Sequence, residues 1–311
     1  MKYLFGPVNS RRLGLSQGID LLTPKICNFD CIYCEVGPTT KLTCERQEYT
    51  PTVEILAEID ALLQNPEAVD RLDYFTITSS GEPTLHSGIG QIIRHLKQKT
   101  AIPVAVLTNG SLLHVKVIRD DLMAADLVIP SLDTVRPESY RKLNRAARCS
   151  DLPLIVKGLI HFRRQFKGQI WLEILLVKNI NDSAEDIAAL QDAILKIKPD
   201  RIQLNTVVRP PLESYAKPLN REEMELIAKK FDRPVEIIVD FEKRKQEGYR
   251  PIIESEILQM LKRRPCTADD VSEALDLHPH NILTLLNNLE NSGKIEIKIH
   301  NDRQYFQTKT D

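Results

Sequence analysis

Residues 18–34, GIDLLTPKICNFDCIYC, lead from a strand-like segment directly into three cysteines, Cys27, Cys31 and Cys34. The short intervals allow three thiolates to meet one inorganic group. On a four-iron cluster, three thiolates leave one iron free to bind a small molecule. Two other interpretations stay open: a zinc site with Cys44 as its fourth ligand, and a set of buried structural thiols.

The composition is that of an ordinary globular protein of 311 residues, with 42% hydrophobic and 27% charged residues. The formal net charge of -1 gives no overall field that would favour nucleic acid or a membrane surface. No uninterrupted apolar stretch approaches about 18 residues, so no transmembrane helix is expected, and no signal peptide is apparent at the N-terminus. Six cysteines with three clustered do not make a disulfide scaffold. The expected location is therefore a reducing cytoplasm.

Strand-like and helical segments alternate from residue 18 to about residue 240. The strands are predicted at 18–22, 73–79, 103–108, 126–131, 170–177, 201–207 and 234–239, and the helices at 52–64, 88–99, 111–124, 151–167, 184–196 and 221–231. Apolar strands that alternate with helices indicate an α/β fold with a parallel sheet covered by helices. Six or more consecutive units predict a partial (β/α)6 TIM-like barrel over residues 1–241.

The sequence pattern changes after this region. Residues 242–251 are charged and predict a linker. In 252–311 we expect helices at 252–263, 268–275 and 279–291, followed by strands at 294–299 and 304–308, an arrangement that resembles a winged helix-turn-helix. This domain holds seven basic and ten acidic residues, and its third helix holds no Lys or Arg. DNA binding by this domain is therefore not expected, whereas a protein contact or dimerisation is.

Polar residues follow the predicted strands at the point where each strand ends. They are Ser79 to Thr84, Thr108-Asn109-Gly110, Ser131-Leu132-Asp133, Lys178-Asn179, and Asn205-Thr206 with Arg209. In a β/α barrel the reacting groups lie at the C-terminal ends of the strands. The sequence therefore predicts a polar pocket above the three cysteines, which favours a catalytic cluster over zinc.

Two motifs together resemble a known superfamily. The spacing Cys27-x3-Cys31-x2-Cys34, with an aromatic residue before the last cysteine, resembles the signature of the radical S-adenosylmethionine (SAM) superfamily, and Gly81-Glu82-Pro83 is similar to its second-strand motif. The resemblance covers about 20–240. The stretches 5–20 and 204–211 resemble an uncharacterised group of Fe–S oxidoreductases related to the wyosine tRNA-base-forming enzymes.

The resemblance implies cofactors and their contacts. One 4Fe–4S cluster would be held by the three cysteines, and its open iron would bind SAM. The implied SAM-binding residues are Tyr33, Gly81, Glu82, Pro83, Thr108, Ser131 and Asn205. Glu82 or its neighbouring backbone would accept hydrogen bonds from the SAM ammonium, and Tyr33 would pack near the adenine. The reduced cluster would cleave SAM to methionine and a 5′-deoxyadenosyl radical that abstracts hydrogen from a substrate. Cys44, Cys149 and Cys266 are isolated in the sequence and predict ordinary thiols, so a single cluster is expected.

The substrate and partners stay open at this level. A tRNA base is favoured by the resemblance and by the basic residues Arg136, Arg141, Lys142, Arg145 and Arg148. The alternatives are a small molecule or peptide, with the winged helix as a docking module, and a redox-sensing regulator. Candidates to hold an anionic substrate group are Arg11, Arg12, Lys157, Lys178 and Arg209. The expected electron donor is a protein such as flavodoxin or ferredoxin.

Overall fold

A computed structural model describes residues 1–10, 12–22, 24–238, 254–275 and 279–309. The predicted linker and the candidate Arg11 lie outside the described residues. The strands are β1 (Leu4–Ser10), β2 (Gly14–Asp20), β3 (Ile26–Cys27), β4 (Lys41–Leu42), β5 (Tyr74–Thr78), β6 (Val104–Thr108), β7 (Leu127–Pro130), β8 (Gln169–Leu176), β9 (Arg201–Thr206), β10 (Glu236–Ile237), β11 (Ile295–His300) and β12 (Arg303–Thr308).

The α-helices alternate with the strands as the sequence predicts. They are α1 (Thr52–Leu63), α2 (Pro66–Val69), α3 (Ile89–Lys99), α4 (Lys116–Leu122), α5 (Pro137–Asn144), α6 (Leu152–Gln165), α7 (Ala184–Ile197), α8 (Arg221–Ala228), α9 (Glu254–Arg263), α10 (Ala268–Leu275) and α11 (Pro279–Asn291). The fourth helix begins at residue 116 and not at the predicted 111, because Gly110 has a φ of 69° and the chain turns there before the helix starts. No helix of the described residues is long and apolar enough to span a membrane.

Eight strands form one sheet in the order β1-β2-β5-β6-β7-β8-β9-β10. From β2 onward every neighbouring pair is parallel, whereas β1 runs antiparallel to β2. Because consecutive strands are neighbours and β1 is not paired with β10 in the described residues, the sheet has the order of an incomplete barrel. The α/β fold with a mostly parallel sheet is confirmed. The edge strand β1, which the sequence did not predict, extends the sheet on one side.

Residues 254–275 and 279–309, here called the C-terminal unit, have a hydrophobic core of their own. The three helices and the hairpin of β11 and β12 form at the predicted positions. Val8 of β1 packs against this second core, and the side chain of Asn9 donates a hydrogen bond to the carbonyl oxygen of Glu273 over 2.6 Å. The C-terminal unit is thus attached to the edge strand of the sheet.

Candidate active site

The segment that carries the three cysteines is held against the C-terminal end of helix α5. The backbone N–H groups of Asp30 and Ile32 donate to the carbonyl oxygens of Asn144 and Leu143, each over 3.0 Å. Within the segment, Cys34 N–H donates to the carbonyl oxygen of Cys31 over 3.1 Å, which closes a tight turn. The cysteine segment is therefore fixed by backbone contacts that do not depend on a bound group.

A nitrogen donor lies near each of the three sulfurs. The ammonium of Lys25 is 3.0 Å from Cys34 Sγ, the amide nitrogen of Asn144 is 3.5 Å from Cys31 Sγ, and that of Asn109 is 3.8 Å from Cys27 Sγ. Hydrogen bonds to sulfur stabilise thiolates and the clusters that thiolates hold.

Burial opposes ionisation of two of these thiols. It raises the pKa of Cys27 to about 12 and is the main cause that raises the pKa of Cys31 well above its ordinary value. A thiolate at these positions therefore needs a metal as its counter-charge. Sulfur ligands, each with a nearby N–H donor, in a site that demands such a counter-charge fit an Fe–S cluster.

All three cysteines line one cavity of about 440 Å³ at the C-terminal end of the sheet. Its walls are formed by inward-facing side chains of the strands, by the stretch 78–81 and by the end of α9 in the C-terminal unit. Parallel strands deliver their C-terminal residues to one rim, as the sequence predicted. The volume lies in the lower part of the range of about 300–1,000 Å³ that is usual for small-molecule sites.

Gly81 joins the second-strand motif to the cysteine segment. A Cβ atom at this position would lie 1.7 Å from the carbonyl oxygen of Ile26, which directly precedes Cys27. The next backbone N–H, that of Glu82, donates to the same carbonyl oxygen over 3.0 Å. Glycine is needed here because only a residue without a side chain allows the two backbones to approach this closely.

The Glu82 carboxylate does not face the cavity. It is buried, and it accepts hydrogen bonds from Thr84 N–H (3.0 Å), from the Thr108 hydroxyl (2.6 Å) and from Asn109 N–H (2.7 Å). The predicted contact between this side chain and the SAM ammonium is therefore not supported by the geometry, since its oxygens are occupied within the chain. The same holds for Thr108, whose hydroxyl is used by Glu82, and the buried Pro83 begins a 3-10 turn, Pro83–Leu85. The cavity is instead lined by Gly81 and by its neighbours in 78–80.

The other predicted SAM contacts divide between two cavities. Asn205 lines the large cavity and donates to the Glu173 carboxylate over 3.0 Å. Tyr33 borders both cavities, and its hydroxyl donates to Asp133 over 2.5 Å. Ser131 lines only a small adjacent cavity of about 50 Å³. The structure thus brings Gly81, Tyr33 and Asn205 to the large cavity and leaves Ser131 beside it.

Six charged residues of the cavity were missed from the sequence: Asp20, Lys25, Glu35, Glu173, Arg263 and Arg264. Asp20 ends β2 and accepts hydrogen bonds from the backbone and the hydroxyl of Ser80 at 3.1 and 2.9 Å. Glu173 forms an ion pair with Arg12 across the barrel. A signal was available for Glu173 and Asp20, since each is the one acidic residue in a predicted apolar segment, 170–177 and 18–22, whereas nothing but its nearness to Cys27 marked Lys25.

The expectation that Cys44 and Cys149 are isolated thiols is wrong. They form a disulfide that joins positions 105 residues apart in the chain. Cys266 is a buried free thiol, as predicted. Since Cys44 is bonded to Cys149, it is not available as the fourth ligand of a zinc site.

The described residues also lack a site for a single metal ion. In the stretches of chain that the structure describes, no three His, Cys, Asp or Glu side chains are placed to hold one metal ion. A four-iron cluster takes its thiolates on separate irons, so the arrangement favours a cluster over zinc.

The candidate anion-binding residues are placed differently from one another. Arg12 and Arg209 line the cavity. Lys178 is paired with Glu223 at 2.6 Å outside the cavity, and Lys157 is exposed on α6. Among the four candidates that the structure describes, only Arg12 and Arg209 are thus in a position to contact a ligand near the cysteines.

Comparison with known proteins gives a family. The family model described as the radical SAM superfamily matches residues 21–190. A protein named GTPase Obg from Brachyspira hyodysenteriae is 40% identical over 96% of this chain, although the chain spans only 44% of that protein's length. A UPF0026 protein from Methanocaldococcus jannaschii is 31% identical, and the alignment covers 99% of this chain and 96% of that one.

The fold has a counterpart among solved structures. The crystal structure of a radical SAM methyltransferase from Sphaerobacter thermophilus is similar with a TM-score of 0.57 and 16% identity, over 72% of this chain and 66% of that chain. Because the family model matches more than half of its residues, the chain belongs to the radical SAM superfamily and is an enzyme that uses a 4Fe–4S cluster and S-adenosylmethionine.

Proposed function

We propose that Cys27, Cys31 and Cys34 hold the cluster and that SAM binds beside them in the large cavity. The observation that carries this proposal is that the three sulfurs, each with a nitrogen donor nearby, line one cavity. When bound, the cluster and SAM supply reductive cleavage of a C–S bond, which gives a carbon radical that abstracts hydrogen from a substrate. The residues of the chain bind, orient and shield these groups.

The wall formed by 78–81, which packs against the cysteine segment, is suited to hold SAM through its backbone. Gly81 keeps 78–81 close to the cysteine segment, and Asp20 fixes Ser80 in the same wall. Backbone carbonyl groups of this stretch are our candidates for the contacts with the SAM ammonium, in place of the Glu82 side chain. Tyr33 and Asn205 are the further candidates, and Thr108 and Glu82 act through the position of the loop.

A small-molecule substrate is best supported by the cavity. The cavity of about 440 Å³ also has to hold SAM, and Met260 and Arg263 of the C-terminal unit close one side of it, so the space left for a substrate is that of a small molecule. The C-terminal unit has the three helices and the hairpin expected of a winged helix. In our proposal it acts as a wall of the active site and not as a DNA-binding module.

A tRNA base, suggested by the resemblance to wyosine-forming enzymes, has weaker support. Three of the five basic residues in 136–148 are paired with carboxylates: Arg136 with Asp186 at 3.2 Å, Lys142 with Glu138 at 3.3 Å, and Arg145 with Glu213 at 2.7 Å. Paired charges contribute little to phosphate neutralisation. We further propose a cytoplasmic location and a flavodoxin- or ferredoxin-type donor, because an exposed cluster needs a reducing environment.

The test is anaerobic incubation of the iron-loaded protein with SAM and dithionite. We expect 5′-deoxyadenosine, more of it when a small-metabolite extract is added, and no increase with total tRNA. Cys31→Ala should abolish the product, whereas Cys266→Ala, which removes a buried free cysteine that does not line the cavity, should keep it. Product formation by Cys31→Ala would refute the ligand assignment, and stimulation by tRNA alone would refute the small-molecule substrate.

A further inference from the structure

Three guanidinium groups meet in the wall that the barrel and the C-terminal unit share. Arg209 follows β9, and Arg263 and Arg264 end or follow α9; all three line the large cavity. Arg209 is almost fully buried, with 6% of its side chain exposed. The cavity therefore carries positive groups from both parts of the chain.

These guanidinium groups have N–H donors that the chain does not use. The Nε atoms of Arg209 and Arg263 are buried and have no hydrogen-bond acceptor among the described residues. A guanidinium presents five N–H donors, and a buried donor without an acceptor is unfavourable. Acceptor atoms brought by a ligand would satisfy these donors after a side-chain movement that exposes them.

The carboxylates around them do not complete the pairing. Asp20 lies 3.7 Å from Arg263 Nε and Asp270 lies 3.5 Å from Arg209, both longer than the 2.7–2.9 Å or so of a charge-assisted hydrogen bond. Glu35 is shared, at 3.1 Å from Arg209 and 3.6 Å from Arg264. Three carboxylates thus face three guanidinium groups, and what remains for a ligand is the pair of Nε donors that these carboxylates do not use.

Arg263 is held in place by an aromatic ring. Its guanidinium lies 4.1 Å from the centre of the Phe5 ring, a distance typical of cation–π contact. A Cβ atom at Gly18 would lie 2.2 Å from that ring, so Gly18 gives the ring its space. This stacking orients the guanidinium before any ligand arrives.

We propose that Arg209 and Arg263 bind an anionic group, a carboxylate or a phosphate, of a small substrate, so that the C-terminal unit forms part of the substrate site. This inference rests on the proposed function, since it places the substrate in the cavity of the three cysteines. It assigns to the C-terminal unit a role in selecting the substrate by charge.

The test is anion binding by the iron-loaded enzyme saturated with SAM. Inorganic phosphate and acetate are titrated in separate calorimetric experiments at constant ionic strength in chloride. We expect saturable binding of at least one of them, weakened at least tenfold in Arg263→Gln and less in Arg263→Lys, which keeps the charge. Arg164→Gln, a change at an exposed arginine of α6, should leave binding unchanged.

The outcomes separate the possibilities. The arm that saturates identifies a phosphate or a carboxylate as the recognised group. The inference is overturned if neither anion saturates, if Arg263→Gln binds as the wild type does, or if anions bind only without SAM, because the guanidinium groups would then serve the SAM carboxylate. Absence of SAM binding with anion binding intact would instead refute the proposed function alone. The unfolding curve of Arg263→Gln shows whether this variant has lost its fold. In that case Arg209→Lys is the second variant.

Discussion

Replacing Lys25 with methionine tests whether the cavity is built for a negatively charged cluster. Lys25 is buried, with its ammonium 3.0 Å from Cys34 Sγ and 2.5 Å from the carbonyl oxygen of Gly37. Within the described residues it forms no salt bridge with a carboxylate. A buried cation needs a compensating negative charge, and here the thiolate of the cluster would supply it.

The magnitude follows from Coulomb's law. Two unit charges 3.0 Å apart interact by about 5 kcal/mol at an effective dielectric constant of about 20, and by roughly half of that at twice the separation, where an electron spread over the cluster would lie on average. For a one-electron couple, about 1.4 kcal/mol corresponds to 59 mV. Since the reduced cluster carries one more negative charge, Lys25→Met should lower the midpoint potential by ~100 mV.

The measurement is an anaerobic redox titration of iron-loaded protein, followed by electron paramagnetic resonance of the reduced cluster. Lys25→Arg keeps the charge and should stay near the wild-type potential, and Lys41→Met removes an exposed charge as a matched control. A Lys25→Met protein with full iron content and an unchanged midpoint would show that this ammonium does not act on the cluster.

Three further changes have clear expectations. Gly81→Ala puts a Cβ atom 1.7 Å from the Ile26 carbonyl oxygen, so we expect a loss of about 1–3 kcal/mol in unfolding free energy and a lower iron content, and normal iron loading would contradict this. Burial lowers the pKa of His86, so the unfolded chain takes up a proton at this residue at a higher pH than the folded chain does. The unfolding free energy should therefore be highest above pH ~7.5 and should fall as the pH drops through about 6.5. Denaturation curves of His86→Asn should lack this decline. The double change Cys44→Ser and Cys149→Ser should lower the unfolding free energy by about 2–5 kcal/mol under oxidising conditions. The wild type in dithiothreitol should have the same unfolding free energy as this variant. Equal stability of the wild type with and without the reductant would show that the pair is not bonded.

Most of the parallel strands were predictable because they are short apolar runs buried on both faces, whereas the predicted 18–22 overlaps β2 only in its last three residues, since Ser16 and Gln17 make the first part of β2 polar. The predicted 103–108 and 201–207 differ from β6 and β9 by a single residue at one end. The edge strand β1 was not predicted, since its partner is the antiparallel β2 and its other support, around Val8, comes from the C-terminal unit. Such support depends on contacts far apart in sequence, which a local pattern does not contain.

The candidate site was likewise predictable where it depends on local sequence and not where it depends on contacts between distant residues. The three cysteines are a local motif, and their meeting at one cavity followed from their spacing. The direction of the Glu82 carboxylate did not follow, because its partners Thr108 and Asn109 come from the end of the neighbouring strand. The bond between Cys44 and Cys149 likewise depends on how the segment after α5 returns to the cysteine segment.

The C-terminal unit is attached to the rest of the protein by hydrogen bonds at two places. Tyr305 donates a hydrogen bond to the Val208 carbonyl oxygen over 2.6 Å, next to Arg209, and Asn9 holds α10 from the other side. Met260 and Arg263 stand in the cavity wall, so we expect that a folded RNA would need these contacts to open before it reached the sulfurs. In our proposal a small anion enters with less movement of the chain, and the same contacts shield a reactive intermediate from water.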